Sequence, residues 1–264
     1  MSVFAGPVTG QSPSLGNLLL SIDFANTKSY PGSGSIITDS IASNQITLNN
    51  PSLYSFDSLT NSINFDRSSV ATSGGYARCV GTGSLTAANY LYNNHSSEIL
   101  AKINSITTGY QDYPAVYNNT ENGCLLAGYV GYHTMFVWNG GGGVNYVTWD
   151  GTNAPTYLSR NTTSISLGTS GTQIIQGKWF HIIVTKNGST YKTYLNGNLL
   201  YTDTLVVALP CPSGNSLDLG AAATGTSYNY YSKSNIALFR MYNTVLSDDQ
   251  VLQNFAAVRG RFGL

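Results

Sequence analysis

Charge is what this sequence has least of: Asp, Glu, Lys and Arg make up 9% of it, where about a quarter is usual. Lys plus Arg and Asp plus Glu each number 12, so the formal net charge is +0. Such a chain has no long-range field to draw it onto nucleic acid or an anionic lipid surface. No apolar run approaches the roughly 18 residues that a membrane-spanning helix needs. No Lys or Arg precedes Lys28, and Leu18–Leu20 is too short for a signal-peptide core, so export through a conventional signal is not expected. Cysteine is scarce too. Cys79, Cys124 and Cys211 form an odd set at no metal-ligand spacing, which favours buried free thiols.

Carboxylates are missing where catalysis would need them. A glycosidase built on a β-sandwich requires two carboxyl groups that flank one bond from alternate positions of one strand. Glu98 and Glu121 are the two glutamates and lie far apart, as do Asp57 and Asp66. The patterns G-x-S-x-G, H-E-x-x-H and G-x-x-x-x-G-K-[ST] are absent as well. His95, His133 and His181 are isolated, and His181 reads as a hydrogen-bonded residue within a strand. A protein that is not an enzyme is expected.

Glycine (28) and tyrosine (19) are plentiful, with abundant Ser, Thr and Asn. This is the composition of an all-β chain whose surface is wetted by hydroxyls and amides. The clearest pattern is 177–205, GKWFHIIVTKNGSTYKTYLNGNLLYTDTL. Three runs rich in aromatic and β-branched residues, 179–185, 191–195 and 198–204, are separated by Asn187-Gly188 and Asn196-Gly197. Asn-Gly tolerates the positive φ of a tight hairpin turn, so the stretch predicts a β-meander. Phe180, Ile182 and Val184 fall on one face, and Trp179, His181 and Ile183 on the other. Both faces are apolar, which predicts a strand covered on both sides.

Elsewhere, residues 1–16 are rich in Gly, Pro and Ser and read as an extended arm, disordered or docked on a neighbour. Residues 18–24 predict a first strand that pairs near the last one. Strands are also expected over 36–48, 53–56 and 62–66, the last with Ile63 and Phe65 on one face. A loop leading into a strand is expected over 74–83. The segment 97–106 has a helical reading, but a core strand is preferred. Further strands are expected over 110–131, 132–138, 146–149, 162–175, 217–219 and 236–242. Ser247 and Gln250 form an S-x-x-Q capping box, Asp248 and Asp249 suit the positive end of the helix dipole, and Gly260 can end the helix.

A family resemblance rests on three segments. G-x-W-x-H-I-x-V-T followed by Y-x-N-G-x-L in the meander resembles the laminin-G-like branch of the concanavalin A-like sandwiches. LLLSIDFAN with KSYPGSG near the start, and IALFRMYNTVL with SDDQVLQNFAAVRGRFGL at the end, resemble such domains in phage virion proteins. The resemblance implies a jelly-roll sandwich of two antiparallel sheets with a short C-terminal helix, spanning 17–264 behind the arm 1–16. It also implies a bacteriophage virion structural protein, a capsid decoration or tail fibre component located in the virion. Its implied partners are other virion proteins, further copies in a homo-oligomer, and host surface glycans. The alternative is a stand-alone lectin module at a cell surface.

Binding residues are sought beside the glycine loop 139–143. Sugar sites combine flat aromatic faces with amides and carboxylates. Tyr132, Trp138, Tyr146 and Trp149 flank the loop, with Asn139, Asn145 and Asp150 among them. Each aromatic also reads as a core residue, the reading the pattern favours, and alternation leaves room for at least one of the tryptophans to face inward. No cofactor is expected. The resemblance implies a structural Ca²⁺ ion, for which Asp23, Asp66, Asp150 and Asp218 are scattered candidates without ligand spacing.

Overall fold

A computed structural model describes residues 17–66, 74–80, 94–104, 123–128, 133–138, 143–148, 165–166, 174–175, 177–204, 216–224, 227–229 and 231–264. The predicted arm 1–16 lies outside these residues.

Among the described residues, eighteen strands and one α-helix follow in chain order. They are β1 Leu18–Asp23, β2 Ile36–Thr38, β3 Gln45–Asn49, β4 Tyr54–Asp57, β5 Ser62–Phe65, β6 Tyr76–Val80 and β7 His95–Ile103. Next come β8 Gly123–Gly128, β9 His133–Trp138, β10 Gly143–Thr148, β11 Ile165–Ser166, β12 Trp179–Asn187, β13 Thr190–Leu195 and β14 Asn198–Thr204. The chain closes with β15 Ser216–Leu219, β16 Ala222–Thr224, β17 Ser227–Asn229, β18 Ser234–Tyr242 and α1 Asp248–Phe262.

Two large antiparallel sheets form. Sheet A runs β14-β13-β12-β7-β18-β5-β4, and sheet B runs β11-β10-β9-β8-β15-β6-β3-β2. In sheet A, β1 and β5 share one edge of β18, β1 along 238–242 and β5 along 234–236. The first strand therefore pairs with the last one, as expected. Ile37, Ile46, Leu48, Ala77 and Leu219 from sheet B meet Leu20, Ile22, Ile63, Phe65, Ile99, Phe180, Ile182 and Phe239 from sheet A in a single core. This is the predicted sandwich.

The meander forms as β12, β13 and β14. In its second turn Asn196 (φ 50) and Gly197 (φ 79) are both left-handed, the conformation of a two-residue hairpin loop. In the first, Asn187 stays in the ladder opposite Thr190, and Gly188 alone takes positive φ among the loop residues. The predicted double coverage of β12 also holds. Phe180, Ile182 and Val184 face the sandwich core, while Ile183 lies with Leu18, Tyr194, Tyr242, Leu246 and Val251 beneath α1. The segment with the helical reading is the buried strand β7, held between β12 and β18.

Two boundaries differ from expectation. The single strand over 36–48 is two strands. Asp39 accepts hydrogen bonds from Ile41 N at 3.0 Å and Ala42 N at 2.9 Å, folding the chain back between β2 and β3. The helix does not end at Gly260. It runs to Phe262, and Gly263 (φ 68) caps it through its N–H to the Arg259 carbonyl. The Ser247–Gln250 capping box is present in both directions.

Candidate functional site

The outer face of sheet B is assembled by register. Directly opposed residues share a face, and residues along a strand alternate. Thr47, Arg78, Asp218, Ala127, Thr134 and Val147 follow one another across six strands. Ala77 and Leu219, their chain neighbours, are core residues, so this row lies on the side turned away from the core. Stepping by two along β9 from Thr134 reaches Phe136 and then Trp138, the latter opposite Gly143. Trp138 is therefore at an outer-face position, as is Tyr76 on β6.

Asp218 is the chemical centre of this face. It is 0% exposed. The Arg78 guanidinium donates from Nε to Oδ1 at 3.1 Å, while Oδ2 is buried and has no hydrogen-bond partner among the described residues. Burial pushes the Asp218 carboxyl up to about 6, against the opposing pull of Arg78. Beside them the Tyr76 and Tyr231 rings sit 6.1 Å apart at 48°.

The residues expected to bind a ligand separate. Tyr146 is opposite Met135, and that register leads through Leu126 to the core residue Leu219. Tyr146 thus takes an inner-face position in the same hairpin where Trp138 takes an outer one. Tyr132, Trp149 and Asp150, with the loop 139–142, lie outside the described residues. Sequence reading singled out Asp218 only as a scattered Ca²⁺ candidate; its pairing with Arg78 escaped it because the two are 140 positions apart. The available signal was a single charged residue in each of two otherwise neutral strand runs.

The remaining candidates are structural. Glu98 is fully buried. Its Oε1 accepts from His181 Nε2 at 2.9 Å and Arg240 Nη1 at 3.4 Å, and its Oε2 from the Tyr242 hydroxyl at 2.7 Å and Asn254 Nδ2 at 2.9 Å. Burial alone would raise this carboxyl, but the Arg240 charge and the bonds from His181 and Tyr242 prevail and hold it at about 2. Such a group is an anion shielded from any substrate. Glu121 lies outside the described residues. For Ca²⁺, Asp23 is paired with Arg261 at 3.0 Å, Asp66 with Lys233 at 3.2 Å and Asp218 with Arg78 at 3.1 Å. A cationic side chain against each carboxylate does not fit a Ca²⁺ shell. Among the described residues no three His, Cys, Asp or Glu side chains cluster.

Comparison with known proteins agrees with this architecture. A laminin-G-type family model, described as Concanavalin A-like lectin/glucanases superfamily, matches residues 125–252. No curated protein matches the sequence. Among solved structures, the binding domain of botulinum neurotoxin DC in complex with rat synaptotagmin II superposes with a TM-score of 0.63 at 10% identity, covering 92% of this chain and 52% of that one. A botulinum neurotoxin type C structure, from work on its cell entry through two ganglioside molecules, gives a TM-score of 0.61 at 11% identity over 92% of this chain and 52% of that one. Trypanosoma rangeli sialidase in complex with sialic acid gives 0.62 at 13% identity, over 96% of this chain and 34% of that one. The chain thus spans about half the length of the neurotoxin chains and a third of the sialidase. At these identities the likeness is one of fold. The two-sheet architecture is that of a concanavalin A-like sandwich, and residues 125–252 are similar to the lectin/glucanase superfamily model.

Proposed function

We propose that this chain is a non-enzymatic carbohydrate-binding module that takes its glycan on the outer face of sheet B, around Asp218, Arg78 and Trp138. The observation that carries the reading is the half-satisfied Asp218 carboxylate. A buried acceptor without a donor costs about 1–3 kcal/mol. Asp218 is itself 0% exposed, so a sugar hydroxyl, a neutral donor, relieves it once the ligand displaces the side chains that cover it. Arg78, 30% exposed, reaches from the same carboxylate towards solvent. Tyr76 on this face offers a flat surface for the C–H side of a pyranose, and the register gives Trp138 a position on the same face. The neurotoxin and sialidase structures support the reading in kind, the one concerned with interaction with ganglioside molecules and the other a complex with sialic acid.

The bacteriophage virion role rests on the resemblance of the two chain ends, and the comparisons favour the lectin module over it. The binding face would serve a free module and a particle-borne oligomer alike, the latter touching host glycans. Mass spectrometry of purified particles separates them: a fixed stoichiometric presence would restore the virion reading.

The binding test is a glycan array followed by calorimetry on the best ligand. Asp218→Asn and Trp138→Ala should each weaken binding at least tenfold, while Tyr146→Phe leaves it unchanged. Incubation with laminarin or agarose should release no reducing sugar. Binding indifferent to both Asp218 and Trp138, or hydrolysis lost in Glu98→Gln or Glu121→Gln, overturns the reading.

A further inference from the structure

The outer face of sheet A carries a second row that none of the above uses. Ser55 on β4, Asn64 on β5, Asn235 on β18, Lys102 on β7 and Trp179 on β12 stand directly opposite one another in turn. Adjacent strands are about 4.8 Å apart, so the row extends for roughly 19 Å. The chain neighbours Ile63, Phe65, Ala101, Phe180 and Ile236 are core residues, which sets the row on the opposite side. It lies beside the last turn of α1, where Phe262 packs on Trp179 with ring centroids 4.5 Å apart.

Hydrogen bonding gives the row a single polarity. Asn104 Nδ2 donates to Asn64 Oδ1 at 2.8 Å and to Asn235 Oδ1 at 2.7 Å. One amide group thereby absorbs both carbonyl oxygens, leaving the neighbours to present their NH₂ groups. The Asn235 amide donates to Ser62 Oγ at 2.9 Å and is buried. Among the described residues the Asn64 amide has no acceptor, and the residue is half-buried. Lys102 is half-buried too. Its Nζ stands 5.3 Å from the Trp179 ring centroid, and among the described residues it forms no ion pair.

Nearby carboxylates are already occupied. Asp57, two positions along from Ser55 on the same face, accepts from Leu59 N at 3.0 Å, Thr60 N at 3.4 Å and Thr60 Oγ1 at 2.8 Å within its own turn, and the Lys102 charge also acts on it. Asp66 is paired with Lys233. The row therefore displays a hydroxyl, an amide donor and one ammonium group, while its two amide carbonyls are engaged by Asn104 and the neighbouring Asp57 carboxylate is bonded within its own turn. Such a surface suits a ligand made of oxygen acceptors that includes a negative one. A lone lysine is too little for a nucleic acid, whose binding neutralises several phosphates. We propose that this row is a second glycan site, selective for a short saccharide that carries an oxyanion, either carboxylate or sulfate.

The test is titration calorimetry on the full chain with three probes: oligogalacturonate, a dextran sulfate oligomer and unmodified dextran. Asn64→Asp keeps the oxygen that accepts from Asn104 but replaces the outward amide with a carboxylate. Lys102→Gln removes the charge at a surface position, and keeps the test open if the first variant disturbs the amide row. At least one anionic probe should bind, more weakly as salt rises, and each variant should reduce that binding at least tenfold. Which anionic probe binds identifies the oxyanion. Asp218→Asn should leave this binding unchanged, which separates it from the sheet B site. The proposal is overturned if neither anionic probe binds, if binding survives both variants, or if unmodified dextran binds equally well.

Discussion

Asn254 of α1 donates its side-chain amide to Glu98 Oε2 at 2.9 Å and to the Tyr242 hydroxyl at 2.9 Å. Both Asn254 and Glu98 are buried, at 2% and 0% exposure. The apolar contacts under the helix are non-directional. This bond is directional, and it ties the middle of α1 to one position on β7. The two ends are held by ion pairs, Asp248 to Lys192 at 3.0 Å and Arg261 to Asp23 at 3.0 Å.

Removing either partner should therefore be costly. Glu98→Ala strands Arg240, which is 16% exposed, and takes the acceptor from His181 and Tyr242 and one of two acceptors from Asn254. A loss of about 3–5 kcal/mol is expected. Asn254→Ala removes one bond to a charged group, for about 1.5–3 kcal/mol. In urea unfolding the double variant should lose clearly less than the sum of the two. Additive losses would mean that the contact is not an energetic unit.

Acid should act through the same carboxylate. Its folded value is lowered to about 2 from 4.5. A lowered folded pKa contributes stability that is full above the unfolded value and disappears as pH falls through the folded one. Unfolding free energy should thus decline between about pH 4.5 and about pH 2. Glu98→Gln, with no proton to gain, should give a visibly flatter curve over that window, and identical slopes would contradict this assignment.

Asp218 should behave with the opposite sign. Burial raises its carboxyl from 3.8 to about 6, so its contribution is full below 3.8 and lost as pH rises through 6. In the absence of glycan, Asp218→Asn should gain stability on wild type as pH rises from 4 to 7.5, by on the order of 2 kcal/mol. Thermal melts across that range provide the measurement. A constant difference between the two proteins would show that the buried carboxylate is not strained.

Two glycines should respond in opposite directions to alanine. A Cβ on Gly197, at φ 79, would stand 2.8 Å from Phe255 Cδ1 of α1, so Gly197→Ala should destabilise by about 1–3 kcal/mol. Gly260 lies inside the helix with nothing within 4 Å of an added Cβ. There Ala should stabilise by roughly 0.5–1 kcal/mol. Melting temperatures moving the same way in both variants would contradict the helix boundary at Gly263.

What could be read along the chain was the chemistry of neighbours. The Asn196-Gly197 turn, the alternation of Phe180, Ile182 and Val184, and the Ser247–Gln250 capping box each involve residues within a few positions. Even the double coverage of β12 was legible, because a strand apolar on both faces must be buried on both. The helix end was misplaced for a related reason. A glycine is tolerated within a helix as well as beyond it, and only the bond from Gly263 to Arg259 selects between the two.

The polar constellations were decided by tertiary structure alone. The partners of Glu98 lie 83, 142, 144 and 156 positions away, and they converge because β7 sits between β12 and β18 in sheet A. Arg78 meets Asp218, and Asn104 bridges Asn64 and Asn235, through strand orders that no local pattern encodes. Trp138 and Tyr146 show the converse. They are close in sequence and alike in type, yet the register assigns them to opposite faces. Hairpins follow from the backbone preferences of a few adjacent residues. Which distant strands become neighbours depends on how two whole sheets bury their apolar faces together, and the carboxylates and amides find their partners only after that choice is made.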